Sequence, residues 1–527
     1  MKRLNIILLI ALFGTLSCKK VLDVSSYTSV TDATAFETAD RCLLALYGVY
    51  DAAQSGNYAG GTEKRGYPFG AANIEQGDAR GEDVINIASF YQITYQATYN
   101  GNSANCVAMW DNAYALINKV NIGIDGFKDA GSSGILTAAV ATQYEAECRF
   151  LRAMAHHELV IHFARPYLDG NGNKLGVPYR DFAVNSGSKA DELRTLPRGT
   201  VAEDYQKILA DLDFAETNLP ALQSGAAAVS VYRATKAAAI ALKMRVKMHM
   251  GDWAGVITEG NKIVSASAPF VSPVGAWTLN ANPDGAFANN TTKESVFSIK
   301  NDALDAPSVN AGLAYMLGAT NLGGRGLVSV SPIIWNNTGW KCDDKRRTLL
   351  YTTGGNANNS QSYLTTKYRD YVNRSDYAPQ IRYAEVLLML AEAEARQAAG
   401  VSSKAVDLLN AVRNRALVNP ATDQYTVAGF ADKIALVKAI LFERRIEFLF
   451  EGKRWGDISR LANDASYTTG GIPAKAVNGA AGLSIYGCGT AYTPGQAAIA
   501  YSDFRFVWPI PYDEVTQNPI IEQNPQY

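Results

Sequence analysis

Apolar residues recur at three- and four-residue steps over two long parts of the chain, 40–267 and 380–461. This spacing is typical of amphipathic helices whose apolar faces pack on a core. The segment 138–163 shows the pattern most clearly, because one helical face carries Tyr144, Cys148, Leu151, Ala155 and Leu159. The two parts together predict a mainly α protein.

Two predicted helix pairs are spaced like tandem repeats. The helices 233–250 and 253–266 meet at Gly251, and the helices 381–397 and 402–417 meet near Gly400. Each pair spans about 34–37 residues, close to the period of tetratricopeptide repeats. Small residues recur where paired helices would cross closely: Ala237, Ala238, Ala241, Ala384, Ala391 and Ala395. We therefore expect tetratricopeptide-like stacked helix pairs.

The segment 268–379 interrupts the helical pattern. It is rich in Gly, Asn, Ser and aromatic residues, and its short apolar runs at 295–300 and 327–331 predict small strands. A structureless loop of this length is improbable in a compact domain. We interpret it as an irregular, loop-rich insertion with minor β-structure, packed on the helices. The segment 462–527 is expected to hold a shorter insertion followed by an extended tail.

Charge and composition exclude one class of partner. The 527 residues are 47% hydrophobic and 19% charged, which fits a globular protein with a sizeable core. The 49 basic and 50 acidic residues leave a net charge of −1, so no overall field attracts nucleic acid. We expect no nucleic-acid partner.

The first 17 residues have the features of a signal peptide. Two basic residues precede the apolar run 6–16, which is too short to span a bilayer comfortably, and small Ser17 precedes Cys18. This order resembles a bacterial lipoprotein signal, in which the Cys is acylated and becomes the mature N-terminus, although Thr15 stands where that pattern prefers Leu. Cleavage by the ordinary signal peptidase is the alternative. No later apolar run would span a membrane, so attachment is expected through the lipid alone.

Removing Cys18 from the count leaves an odd number of cysteines, which cannot all pair internally. Three of them lie among apolar or helical residues, where buried free thiols are expected: Cys42, Cys106 and Cys148. Cys342 and Cys488 are a candidate disulfide that the sequence cannot establish. Because no CxxC spacing occurs, the sequence argues against a structural zinc site.

The run 156–162 contains three histidines but does not match a metal-binding helix. His157 and His162 are five residues apart, whereas zinc peptidases need histidines at i and i+4 on one face. We interpret these histidines as surface or interface residues of an amphipathic helix. No phosphate loop or GxSxG elbow occurs either. We therefore predict no metal, no cofactor and no catalytic residues.

Several motifs, taken together in their order, resemble the SusD/RagB family of outer-membrane nutrient-binding lipoproteins of Bacteroidetes. They cover nearly the whole mature chain, 18–527: the start Cys18-Lys-Lys-Val-Leu-Asp23, the segments 110–121, 149–153 and 176–178, the helical segments 381–396 and 443–461, and the tail residues 508–511 and 523–527. The resemblance implies capture of glycans, or sometimes peptides, beside a SusC-like TonB-dependent porin. It also implies a lipid-anchored location on the outer-membrane surface. A surface glycoside hydrolase and a peptide-binding or scaffold lipoprotein remain alternatives.

The residues of the segment 442–461 are themselves structural in character. Charges of both signs recur at helical spacing, which indicates solvated or mutually paired faces: Glu443, Arg444, Arg445, Glu447, Glu451 and Arg454. Between them lies an apolar stripe of Phe442, Ile446, Leu449 and Phe450. We read the whole segment as one helix that holds the fold together.

The ligand site is expected on loops, because the apolar faces of the helices are needed for the core. Sugars present apolar C–H faces ringed by hydroxyls, so a site needs aromatic platforms beside polar partners. Two segments offer both, and their candidates are Asp78, Arg80, Tyr91 and Tyr95 within 73–99, and Trp277, Tyr315, Trp335 and Trp340 in the insertion. Trp335 lies in an apolar run and is equally a core candidate. Trp340, between Gly339 and Lys341, is the preferred platform.

Overall fold

A computed structural model describes residues 34–54 and 65–527. The predicted lipidation residue, Cys18, lies outside the described residues. The helices are α1 Ala39–Gln54, α2 Ala71–Ala79, α3 Gln92–Gln96, α4 Ala104–Ser132, α5 Ala138–Phe163, α6 Gly187–Leu193, α7 Val201–Asn218, α8 Val229–Tyr232, α9 Lys236–Met250, α10 Trp253–Ile263, α11 Leu313–Leu317, α12 Pro332–Trp335, α13 Arg346–Leu349, α14 Tyr383–Gln397, α15 Ser403–Arg413, α16 Pro420–Asp423, α17 Lys433–Glu447, α18 Arg454–Leu461 and α19 Tyr512–Gln517.

The long helices stack side by side into a scaffold. Helix α5 packs between α4 and α7, and the pair α9–α10 packs through α10 on the pair α14–α15. Gly251 ends α9 in the left-handed conformation (φ 72°), which Gly adopts without strain. These pairs confirm the predicted mainly α fold of stacked helix pairs. No helix in the described part of the chain is long and apolar enough to cross a bilayer.

The remaining chain forms an irregular layer against this scaffold. Its strands are β1 Val84–Asn86, β2 Ser295–Ile299, β3 Val328–Val330, β4 Tyr351–Gly355, β5 Gln361–Thr365, β6 Ala378–Arg382, β7 Gly471–Ile472 and β8 Ile499–Ala500. Within the described residues they pair in twos, all antiparallel: β1 with β3, β2 with β6, β4 with β5, and β7 with β8. The predicted strands at 295–300 and 327–331 are therefore confirmed.

The cysteines behave as their surroundings predict. A disulfide joins Cys342 to Cys488 and so connects the insertion to the segment after α18. Three free thiols are buried, at Cys42, Cys106 and Cys148. Burial raises the pKa of the Cys106 and Cys148 thiols well above its ordinary value, so both stay protonated and unreactive.

The segment 442–461 is not the single helix that its periodicity predicts. Helix α17 ends at Glu447 and α18 begins at Arg454, with Phe450 and Gly452 in the left-handed region between them (φ 66° and 73°). The break lets the chain pass close to α2, since a Cβ on Gly77 would lie 2.3 Å from the Gly452 carbonyl oxygen. This contact between distant segments overrides the local helical pattern.

The charged residues of the same segment are buried or half-buried and are ion-paired, so the interpretation of this face as solvated is wrong, and the alternative of paired charges holds. Glu447 accepts from Arg346 (3.0 Å), Arg382 (3.0 Å) and Arg415 (2.6 Å). Arg382 also reaches Glu294 (2.5 Å) and Glu451 (2.7 Å). Because Glu294 belongs to the insertion and Glu447 to α17, this network ties the irregular layer to the scaffold.

Candidate functional site

The structure buries seven of the eight residues that the sequence singles out for ligand binding. The exposed fractions are 0% for Tyr91, Tyr95 and Trp340, 1% for Arg80, 2% for Asp78, 5% for Trp277 and 6% for Trp335. Tyr315 alone among them keeps partial exposure. A stacking platform needs an open ring face, so Trp340 is not the ligand platform that its sequence position suggested.

Trp335 and Trp340 belong to an aromatic core cluster. Their rings lie 5.2 Å apart, edge to face, and the Arg347 guanidinium lies 4.6 Å and 4.4 Å from their centroids. Arg347 also donates to the carbonyl oxygens of both residues, at 2.8 Å and 2.7 Å. The core interpretation of Trp335 therefore holds, and Trp340 shares it.

Asp78, Arg80 and Tyr95 hold the layers together. The Arg80 guanidinium lies 3.2 Å from the Trp455 ring centroid and donates to the carbonyl oxygen of Phe506 at 2.6 Å. Asp78 accepts from the Gly452 backbone amide at 3.2 Å, and burial raises its pKa to about 7. The Tyr95 hydroxyl donates to the carbonyl oxygen of Ala476 at 2.8 Å.

Tyr91 lies beside a buried acid, Glu75, and Tyr315 is linked to this region through Arg325. Burial raises the pKa of Glu75 to about 8, and the Tyr91 hydroxyl and the Arg325 guanidinium lower it only in part. Arg325 in turn donates its backbone amide to the carbonyl oxygen of Tyr315 at 2.7 Å, and its guanidinium to Asn310 at 2.7 Å. Tyr315 lies in α11 and is partly exposed, so it stays a candidate ligand contact.

An open cleft of about 310 Å³ lies between α1 and the chain that leaves β2, and the sequence analysis did not predict it. This volume is at the lower end of the range for small-molecule sites. Its described lining residues are Tyr47, Tyr50, Asp51, Tyr232, Ile299, Lys300, Asp302 and Asp305. The cleft thus combines aromatic rings with carboxylates and an ammonium group, the chemistry that sugar binding requires.

Helix α1 supplies one wall of the cleft. Tyr47, Tyr50 and Asp51 are three and four residues apart and so share one helical face. Tyr50 is fixed as the floor, because its hydroxyl donates to Glu147 at 2.7 Å and accepts the backbone amide of Ala234 at 2.8 Å. Tyr47 is 38% exposed and presents its ring to the solvent side.

The opposite wall comes from Tyr232 and the chain that leaves β2. Lys300 lies 5.3 Å from the Tyr232 ring centroid and pairs with Asp302 at 2.7 Å. The hydrogen bond with Asp302 raises the pKa of Lys300, and the same bond lowers the pKa of Asp302. Both groups are therefore charged at neutral pH and can exchange hydrogen bonds with hydroxyl groups.

Little in the sequence predicts this cleft. Tyr47 looks like an ordinary position of an amphipathic helix, and Tyr232 lies in a helix of four residues. More than 180 positions separate them, so local spacing carries no signal of their proximity. The pairing of Tyr47 with Tyr50 and Asp51 on one helical face is the nearest available hint.

The histidines of the run 156–162 are buried in the core. Their interpretation as surface residues of an amphipathic helix is therefore wrong. His156, His157 and His162 are 0%, 2% and 1% exposed. His157 lines a small polar cavity of about 50 Å³ together with His249 and Lys453. Burial lowers the pKa of His157 to about 4, so the imidazole is neutral in the folded protein at pH 7.

Comparisons with known proteins agree on one family. The sequence profile of the SusD family matches residues 335–527, and a profile described as "Starch-binding associating with outer membrane" matches residues 22–248. The chain is 30% identical to SusD-like protein P2 of Formosa agariphila over 393 residues, 67% of this chain and 71% of that protein. It is 25% identical to SusD-like protein P38 of the same organism, over 99% and 98% of the two chains.

Solved structures show the same architecture. A SusD superfamily protein from Bacteroides fragilis superposes with a TM-score of 0.74 and 27% identity, covering 93% of this chain and all of that one. A structure described as a laminarin-binding SusD-like protein superposes with a TM-score of 0.67 over 93% of this chain and 100% of its own. At 19% identity, the second likeness is one of fold alone.

Proposed function

Because the chain belongs to the SusD family, we propose that it binds glycans at the cell surface and passes them to a SusC-like TonB-dependent porin of the outer membrane. The described relatives include one that binds laminarin, which supports a carbohydrate ligand. The proposed role is binding without catalysis.

The observation that carries the proposal is the open cleft with Tyr47 and Tyr232 in its walls. Aromatic rings can stack on the C–H faces of a sugar, and Lys300 and Asp302 can donate to and accept from its hydroxyls. Tyr315 is kept as a separate proposed ligand contact, because its side chain is partly exposed. Gln54 fixes the segment that follows β2 by donating to the carbonyl oxygen of Asp305 at 2.9 Å.

A polysaccharide array tests the proposal. The chain from residue 19 onward, produced without its signal, is applied to α-glucans, β-glucans, mannans and charged polysaccharides. We expect retention on at least one of them and no release of reducing ends on incubation. Failure to bind any glycan would remove the proposed function, and reducing ends would favour a hydrolase.

The anchor is proposed to be lipid on Cys18. Changing Cys18→Ala should leave the protein uncleaved or released from the membrane fraction, because the acylated thiol is the expected attachment. Stable attachment needs more than one acyl chain, since one chain alone binds only marginally. Mass spectrometry of the wild-type N-terminal peptide measures the lipid. A Cys18→Ala protein that still fractionates with the outer membrane, together with a wild-type N-terminal peptide that carries no lipid, would contradict the anchor.

The partner is proposed to be a porin of the SusC type. Affinity purification of the tagged protein from native outer membranes should recover such a porin with it. An unrelated surface lipoprotein carrying the same tag serves as the control. Recovery of no TonB-dependent porin, under conditions in which the protein itself is recovered, would contradict the partnership.

A further inference from the structure

One surface of the irregular layer carries no charged residue over two long segments. The segments 348–366 and 476–502 contain no Asp, Glu, Lys, Arg or His among their 46 residues. At the 19% charged content of the whole chain, about nine charged residues would be expected there. The two segments instead carry amides, hydroxyls and tyrosines.

These two segments pack against each other. The first forms the hairpin of β4 and β5, and the backbone amide of Gly482 donates to the carbonyl oxygen of Gln361 at 2.9 Å. The Tyr363 and Tyr486 rings meet edge to face at 5.0 Å. The uncharged residues therefore form one continuous surface rather than two unrelated loops.

Tyr363 is a rigid, partly exposed ring in the middle of this surface. One of its faces stacks on Trp335 at 4.0 Å, with the planes 27° apart. Trp335 is itself fixed by Trp340 and Arg347, so the stack loses little side-chain entropy when a ligand binds. Around Tyr363 the hairpin exposes Thr353, Asn358, Asn359 and Gln361.

We propose that this surface, centred on Tyr363, is a second binding site for uncharged polysaccharide. An aromatic ring ringed by amides and hydroxyls matches the C–H faces and hydroxyls of neutral sugars. Sulfated or uronic chains are disfavoured, because sulfate and carboxylate groups need cationic partners and the two segments contain none. The inference rests on the proposed glycan function but not on the Tyr47 and Tyr232 cleft.

Two variants test the site in different ways. Tyr363→Ala removes the ring. Thr353→Arg leaves the ring in place and covers it, since Thr353 is exposed and is the direct cross-strand neighbour of Tyr363. Thr258→Arg adds the same charge at an exposed position of α10 and is the matched control. Thermal unfolding of each variant confirms that it is folded.

The measurement is affinity electrophoresis on the neutral polysaccharide that the array selects, with every variant built on Tyr47→Ala/Tyr232→Ala protein. We expect Tyr363→Ala and Thr353→Arg each to weaken retention at least threefold, with Thr258→Arg unchanged. Unchanged retention in both site variants would overturn the inference. Loss of porin recovery without loss of retention would also overturn it, by assigning the surface to a protein partner. If the wild-type protein binds no glycan at all, that result contradicts the proposed glycan function and, with it, this second site.

Discussion

Replacing Arg382 with methionine should destabilise the protein by about 3–5 kcal/mol, because it breaks a buried ion network on one side only. Arg382 is 2% exposed and contacts the carboxylates of Glu294, Glu447 and Glu451. Methionine has a similar length but no charge, so three buried carboxylates lose a common partner. The midpoint of guanidinium unfolding should fall accordingly.

The control for this prediction is an arginine in an exposed ion pair. Arg194 pairs with Asp191 at 2.9 Å, and their side chains are 58% and 75% exposed. Arg194→Met should change the free energy of unfolding by less than about 1 kcal/mol, as exposed pairs usually do. Equal effects of the two substitutions would show that the Arg382 network does not hold the layers together.

Replacing Trp340 with alanine should cost about 3–5 kcal/mol of stability, the usual range for removing a large buried aromatic side chain. The ring is 0% exposed and packs against Trp335, Tyr351 and the Arg347 guanidinium. Its removal leaves a cavity that these neighbours cannot fill without moving. Guanidinium unfolding again provides the measurement.

Tyr315→Ala is the comparison, because Tyr315 was predicted beside Trp340 as a ligand contact but is only partly buried. Its effect on the unfolding free energy should be below about 1 kcal/mol. An unchanged unfolding midpoint for Trp340→Ala would show that the ring is not part of the core. Trp340 would then return to the candidate ligand platforms.

The helical scaffold could be read from the sequence because its signals are local. The segment 138–163 predicted a helix with the bounds that α5 has. The periodicity failed at 442–461, where the approach of Gly452 to α2 interrupts the helix. That contact joins Gly77 and Gly452, which are 375 positions apart, and no local pattern encodes it.

The site was harder to predict than the fold, because exposure depends on what covers a residue. Trp340 lies between Gly339 and Lys341 and looks exposed in sequence, yet Arg347 and Trp335 enclose it. The burial of charged residues is equally hard to predict. Arg382 is buried because it pairs with Glu294, which lies 88 positions away in the sequence. The cleft depends on Tyr47, Tyr232 and Lys300, which only the folded chain brings together.

Calorimetric titration of the array-selected glycan into three proteins tests the glycan-binding site most directly: the wild type, Tyr47→Ala/Tyr232→Ala and Tyr425→Ala. Tyr425 is a partly buried tyrosine that packs on Phe430 near α15, away from the cleft lining. Two stacking rings contribute about 1 kcal/mol each, so the double variant should bind at least tenfold more weakly while Tyr425→Ala binds like the wild type. Equal affinity of all three proteins would contradict the account and place the glycan elsewhere.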